Sequence, residues 1–583
     1  MKTKRLFHGL IHTMCIASIG LAEWQPPIGI PIPPFGITET APGHPSDWAN
    51  PATGFYYVDR GDPNATDSGN PNGSIAQPRL SIPNPVPAGS VVEIHGTYDF
   101  NPGGRISIIG NGTADKPIFI RGKAGNAKAL ITRKLSPKGS YQVFENLEFT
   151  GSGVFEVDKP SNHITLRDSE AQEISGSFGR IGSFSTNDGT EFVEDIVIYN
   201  NRIHEVGDWT STDEKDWSGV VVQRHARRVW IIDNEIYHCQ GDSVICNTSG
   251  GTGNHPPQFV YIGRNKFYEN NENAVDLKVC YDVIVSQTEM YEFRDTPGAD
   301  PGQAIVCHND QAIAGHPNPD RIWVLFNHIH HADAGMTFEA VLNGYFIGNV
   351  VHDITAMSAD PARTLAKDSA FGRGAACRNV GGQNVMMANN TVYRCDYGLT
   401  AFGGSRGNST KFQNNIVADL TDSHLRWFGN PGWHLLTDDV RADQMSADHN
   451  LYHQANGTIR ITWHPTGSFT DLTAYQVGTG QGAGSLAVDP KFVDPAAGDF
   501  RLRSGSPAIG QGVSLEPISI AFQTRYGIAL AHPGSPDLGA LQTAEVQNPD
   551  PPPPPSETKL RIRIEVTGPV TSDDVELEVV PQP

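Results

Sequence analysis

Asp276 and Lys278 stand two residues apart in the mostly apolar run Asn273-Ala-Val-Asp-Leu-Lys-Val-Cys280, pairing a proton carrier with its counter-charge. In an extended strand, side chains at that spacing leave the same face. A lysine so placed becomes a general base if burial or a neighbouring positive charge lowers its pKa. That base suits removal of the proton α to a sugar carboxylate, the opening half of a β-elimination. The carboxylate must be neutralised as charge develops, a task for Arg294 or Arg224, while His308 donates or relays a proton to the leaving oxygen. Asp242, Glu272 and Asp276 offer oxygen ligands of the kind that hold Ca2+.

Residues this far apart in sequence meet only if the chain repeats, and it does. The pattern apolar-x-apolar-x-x-Asn-x-apolar recurs at Asn201, Asn234, Asn265, Asn327, Asn390 and Asn415, with looser copies carrying Ser169, Thr288 and Asn349 in the polar slot. Each unit is a strand too short to bury its apolar side alone. Stacked about 4.8 Å apart, the units build one continuous core. Asn suits the turn between strands, because it tolerates left-handed backbone and its amide can bond the next unit. Neighbouring slots lie from 22 residues (Asn327 to Asn349) to 41 residues (Asn349 to Asn390) apart. Constant strands with variable loops predict an all-β, right-handed parallel β-helix and disfavour helical repeats, whose periods are tight. A β-sandwich or propeller leaves the Asn slot unexplained.

A second strand after each Asn turn sets out columns along one outer surface. The expected column reads Gln223, Cys246, Lys278, Cys307 and Glu339, with Arg224, His225, Asp276, His308 and Asn309 beside it. Trp209 and Trp217 fall in the insertion Gly207 to Ser218, where exposed indoles stack on sugar faces. Arg224, His225, Arg227 and Arg228 form a basic cluster suited to carboxylates or sulfates. Arg224, His225, Trp209, Trp217 and Glu339 are therefore the expected substrate-binding residues. Plainer roles compete with these. Asp276 and Lys278 read equally as a solvated ion pair, His308 as an inward hydrogen-bonded histidine, and Asp242 and Glu272 as turn caps. His328, His330 and His331 hint at zinc, yet the sequence shows no clear carboxylate or cysteine partner beside them.

The run Tyr56-Tyr57-Val58-Asp59, the segment Gly89 to Tyr98 and the Asn units resemble secreted bacterial pectate-lyase-like β-helix proteins. Asp489 to Ile509, with Asp537 to Ala540, looks like their C-terminal cap, so the resemblance covers roughly residues 55 to 542. Within it, Asn273 to Cys280 resembles the lysine-bearing strand of β-helix alginate lyases and chondroitinases, and Gln303 to His308 the strand that follows. The resemblance implies a polysaccharide lyase acting on a uronic-acid polymer, with Lys278 as base. A C5-epimerase shares the proton abstraction. A glycoside hydrolase needs two carboxyl groups, for which Glu339 and Asp276 are a conceivable pair, although the Asn-Thr-Asp, Gly-Asp-Asp and Gly-His-Gly signatures of polygalacturonases are missing. A non-catalytic adhesin or carbohydrate-binding module would show a flat, uncleft surface at Lys278.

A formal net charge of −21 over 583 residues argues against a nucleic-acid partner. An acidic polysaccharide stays open, because a local basic patch or a bound cation holds an anion on an acidic protein. Lys2, Lys4 and Arg5 ahead of the mostly apolar Leu10 to Ala22 read as a signal peptide over 1–22, so a secreted protein, extracellular or periplasmic, is expected. No later tract is long enough to span a bilayer. Cys15 leaves with the leader, and the other six of the seven cysteines read as buried thiols. The expected organisation is a Pro-rich linker over 23–50, a β-helix with its cap over 51–545, a second Pro-rich linker over 546–556 and a β-hairpin tail over 557–583. Such a chain is expected to work as a monomer on its acidic polysaccharide.

Overall fold

The computed structural model describes residues 24–42, 54–99, 104–123, 128–183, 189–211, 215–247, 255–293, 302–309, 317–356, 373–403, 409–421, 433–438, 444–530 and 537–543. The expected leader, second linker, hairpin tail and Arg294 lie outside the described residues. Within them the strands form a 27-stranded, a 13-stranded and a 2-stranded sheet. The largest is two ladders joined through the long strand Lys134–Glu145, which pairs on both sides. Three faces result. Val193–Tyr199, Ala226–Ile232 and Gln258–Gly263 lie in the first, Arg202–Val206, Glu235–Cys239 and Lys266–Tyr268 in the second. The third holds Val220–Val222, Val244–Cys246, Val275–Lys278 and Gln303–His308. Each coil visits the three faces in turn and pairs in parallel with the next. The chain is a parallel β-helix.

The repeat explains why. Ile196 and Ile198, Val229 and Ile231, Val260 and Ile262 are the two apolar positions of successive units, and all are buried in one core cluster. Full burial of one such side chain stabilises by about 1.5–3 kcal/mol, a gain available only when another coil lies on either side. The asparagines meet as a ladder. Asn201 Nδ2 donates to Asn234 Oδ1 at 3.1 Å, Asn234 to Asn265 at 3.1 Å, and the series Asn327, Asn349, Asn390, Asn415 and Asn450 continues at 2.8 to 3.0 Å. Each amide also reaches a carbonyl of the preceding coil, as Asn234 does to Ile198 O at 2.9 Å. The left-handed backbone sits one residue earlier than the Asn, at Asn200, Asp233, Arg264, Gln287, Phe326 and Asn389. The slot residue is thus selected for its amide, and the residue before it carries the turn.

The segment expected as an N-terminal linker does not hang free. Residues 24–42 lie along the outer side of the first sheet, with Ile30 buried against Trp230, Tyr261 and Ile284. Trp230 Nε1 donates to Pro31 O, and the buried Arg167 donates to Gly36 O, Ile37 O and Glu39 O. The helix Glu516–Tyr526 packs beside this strap through Phe522, and Arg525 pairs with Asp282 at 2.6 Å. The capping hairpin of Phe492 and Phe500 folds onto the second sheet at Val350, Ile416 and Leu451. At the end of the solenoid, Ile461–Trp463, Gly467–Phe469 and the helix Leu472–Thr479 close the core with Trp463 and Tyr475. All six described cysteines are buried and free of disulfides.

Candidate functional site

On the third sheet the register runs Ile245, Asp276, Val306, Thr337 in one column and Cys246, Leu277, Cys307, Phe338 in the next. The second of these columns is fully buried in the core. Asp276 therefore faces outward, and Lys278 pairs with His308. The expected column is shifted here. Cys246 and Cys307 point inward, and His308 and Glu339 are the outward companions of Lys278.

Lys278 Nζ lies 2.9 Å from Asp276 Oδ2, and His308 Nε2 lies 3.3 Å from Asp276 Oδ1. The other ring nitrogen of His308 sits 3.1 Å from Asn309 O. An acceptor faces each nitrogen, an arrangement that favours the doubly protonated ring. Burial alone would lower its pKa, but the Asp276 carboxylate outweighs burial and raises it. Asp242 is 1% exposed; its Oδ1 accepts from the Asn273 amide at 2.9 Å, and its Oδ2 is buried with no hydrogen-bond partner. Burial, then the charges of Asp276 and Asp216, push Asp242 up to about 8. Glu272 is driven well above the carboxylate range by burial and by Asp242, Asp216 and Asp276. Burial also works to raise Asp276, yet His308 and Lys278 hold it below its ordinary value. Within one cluster, two carboxyl groups are thus pushed toward the neutral form while a third is held toward the ionised one.

This environment reverses the condition set for a lysine base. Burial pulls Lys278 down, but Asp276, Asp242 and Asp216 together raise its pKa above that of free lysine. As described, Lys278 is an ammonium ion. It loses its proton readily only when a competing positive charge takes over Asp276. The donor set fits a hard cation, since it offers oxygen atoms, is shielded from water and contains an orphaned buried oxygen at Asp242. Among the described residues, the group of potential ligand atoms that lies within 4.8 Å of one another is a different one, Glu289, His328 and His330. Binding by Asp242, Glu272 and Asp276 would require their carboxylates to draw together.

A groove of about 640 Å3 leads up to this cluster. Its lining includes Arg133, Lys134, Arg180, Asp216, Trp217 and Ile245. Ile245 is the ladder partner of Asp276, so the groove ends one coil away. Three cations, Arg105, Lys134 and Arg180, share the single carboxylate of Glu156 at 2.8 to 2.9 Å. That leaves the far end of the groove, away from the Asp276 cluster, net positive.

The other expected site residues scatter. Trp217 lines the groove, with Lys215 Nζ 4.8 Å from its ring centre. Trp209 instead stacks on His238, ring centres 3.9 Å apart, at the turn after the second sheet. Arg224 and His225 are buried, at 1% and 0% exposure. Arg227 and Arg228 are paired with Glu194 and Asp195 at 2.7 Å, so the expected basic cluster presents no free patch. Glu339 holds the buried Arg378 at 3.1 Å, away from Asp276. Sequence reasoning missed Arg133, Lys134, Arg180 and Asp216. The signal was there in Phe155-Glu156-Val157 and Gly179-Arg180-Ile181, whose outward charges fall in the Asp276 column once it is followed toward the N-terminus.

No protein-family model matches the chain, and no curated protein sequence matches it. Solved structures do resemble it. Pectate lyase Pel9A is 14% identical with a TM-score of 0.30, covering 84% of this chain and 96% of that one. An alginate lyase from Paenibacillus sp. str. FPU-7 is 14% identical with a TM-score of 0.32, covering 54% and 87%. GH136 lacto-N-biosidase from Eubacterium ramulus is 11% identical with a TM-score of 0.35, covering 68% and 64%. Lyases and a glycosidase stand side by side among them, so the chemistry rests on the chain's own residues. Among the described residues, no helix is long and apolar enough to cross a membrane.

Proposed function

We propose that the chain cleaves a uronic-acid-containing polysaccharide by β-elimination on the outer face of the third sheet. One observation carries this reading: a half-buried lysine, beside a cluster of carboxyl groups, stands just past the end of a groove whose other end is net positive. An anionic polymer is attracted by Arg133, Lys134 and Arg180, and Trp217 offers an aromatic platform for a sugar ring. Asp242, Glu272 and Asp276 are the residues that would hold Ca2+, which supplies at this place the positive charge that a uronate carboxylate needs. Lys278 first gives up its extra proton to solvent and, as the free amine, takes the proton α to that carboxylate. The bond from the β-carbon to the glycosidic oxygen breaks as the carbon–carbon double bond forms. His308, whose pKa Asp276 raises, gives the leaving oxygen its proton.

A second reading has its own observation. Asp242 at about 8 and Asp276 below its ordinary value are two carboxyl groups with pKa values driven apart, the pattern of a glycosidase acid and its partner. The deep burial of Asp242 weighs against it, since the acid must reach the glycosidic oxygen. Incubation with alginate, pectate, glucuronan and chondroitin, with and without Ca2+, separates the two. Elimination gives products that absorb in the ultraviolet through their new double bond. Reducing ends without that absorbance on any of these polymers would replace the lyase reading by hydrolysis.

A further inference from the structure

A second cluster lies on the outer side of the second sheet. In His328-Ile329-His330 the strand turns both histidines outward, with Ile329 in the core between them. The register sets Glu289 beside His328 on the preceding coil and His352 beside His330 on the following one. The sequence hides these partners, because neither is adjacent in the chain. Ligand atoms of Glu289, His328 and His330 all lie within 4.8 Å of one another, at half-buried positions. His330 Nε2 is 3.6 Å from Glu289 Oε1, and the Nε2 atoms of His328 and His352 face each other at 2.9 Å.

The opposite ring nitrogens are anchored. His352 Nδ1 lies 2.7 Å from Asp353 Oδ2, and Asp353 is held in turn by Arg394 at 3.1 Å. His330 Nδ1 lies 2.8 Å from His331 Nδ1. A carboxylate behind an imidazole fixes its tautomer and turns the free nitrogen toward a ligand, as behind metal-bound histidines. Tyr291 stacked on His330, and Phe500 against His352, hold the rings in place. Two facing imidazole nitrogens at this distance are satisfied by one shared proton or by one shared metal. Around tetrahedral zinc, with bonds of about 2.0–2.1 Å, ligand nitrogens lie about 3.3 Å apart. Three imidazoles and one carboxylate select borderline metals such as zinc, and an oxygen-preferring ion such as calcium is disfavoured.

We propose that Glu289, His328 and His330 bind one divalent transition-metal ion of the zinc class, with His352, whose Nε2 faces His328 from the next coil, closing in as the fourth ligand and clipping three successive coils together. The test uses the full chain made without a polyhistidine tag, stripped with chelator and titrated with ZnCl2 alone in a calorimeter. One equivalent binds, the melting temperature rises, and CoCl2 alone gives the visible spectrum of tetrahedral cobalt. His328→Ala with His330→Ala abolishes saturable binding, and Asp353→Asn weakens it by about 10- to 100-fold. If the paired variant fails to fold, His328→Gln alone serves, and it too loses the cobalt spectrum. No saturable binding by the unmodified chain would overturn the proposal, as would unaltered binding in the histidine variants or displacement of zinc by excess Ca2+.

Discussion

The outer sides of the second and third sheets follow the same stacking rule and differ in what they stack. On the second sheet one column reads Glu170, Arg202, Glu235, Lys266, Glu289, His328, with charges alternating coil by coil. The next column stacks His204, Tyr237, Tyr268, Tyr291, His330 and His352, ring centres 4.7 to 5.1 Å apart. That spacing is the coil repeat itself. On the third sheet the outward column runs Glu156, Arg180, Val221, Ile245, Asp276, Val306, and the carboxyl groups gather around Asp276 without an alternating cation on each side. Matched charges from Glu170 to Lys266 satisfy one another, and the column departs from that pairing only where Glu289 meets His328 and His330, at the metal site proposed above. A cluster that buries carboxyl groups and pushes their pKa values up is costly to the fold, and chemistry is a reason to retain it.

That contrast can be broken at several places. Lys278→Ala should lower the rate of unsaturated product by about 10³-fold or more, within the range for losing a general base. Arg202→Ala on the second sheet should leave the same rate unchanged, and equal losses would erase the distinction between the faces. Asn349→Leu removes the acceptor of Asn327 Nδ2 and the donor to Val324 O. With at least two buried groups orphaned at 1–3 kcal/mol each, chemical denaturation should show a loss of about 3 kcal/mol.

Asp242→Asn probes the neutral carboxyl group. The folded pKa is raised to about 8, so its contribution to stability is full below the unfolded value and is lost as pH rises through 8. The variant should therefore show a shallower fall in melting temperature between about pH 4 and 8, the span from the unfolded to the folded value, than the unaltered chain. Parallel curves would place the ionised form in the fold. The smallest effect belongs to Arg202→Ala in stability, under about 1 kcal/mol by denaturation, because its pairs with Glu170 and Glu235 are exposed and long at 3.5 and 3.4 Å.

The fold was legible because its signal is local and repeated. Ile196, Ile198 and Asn201 announce a coil within six residues, and the ladder follows from repetition. The site was legible only in part. Alternation set Asp276 and Lys278 on one face, as the structure has them. The column through Cys246 and Cys307 slipped by one residue, since period two cannot tell which of two adjacent residues faces the core when both are apolar or neutral. Arg224 and His225 looked like a surface patch because charge suggests solvent, yet they follow a strand end that turns inward. Asp276, the largest influence raising Lys278, was in plain view on the same strand, but the added pull of Asp242 and Asp216 and the partners of His328 were beyond reach, because they come from other segments of the chain.

The most direct test is a crystal structure of the Lys278→Ala chain, unable to turn over, soaked with a uronate oligosaccharide and Ca2+. The account predicts sugar along the third sheet, from Arg180 and Trp217 toward position 278, with a carboxylate at Asp242 and Asp276. An oligosaccharide bound on another face, or lying with its carboxylates turned away from that cluster, would contradict it.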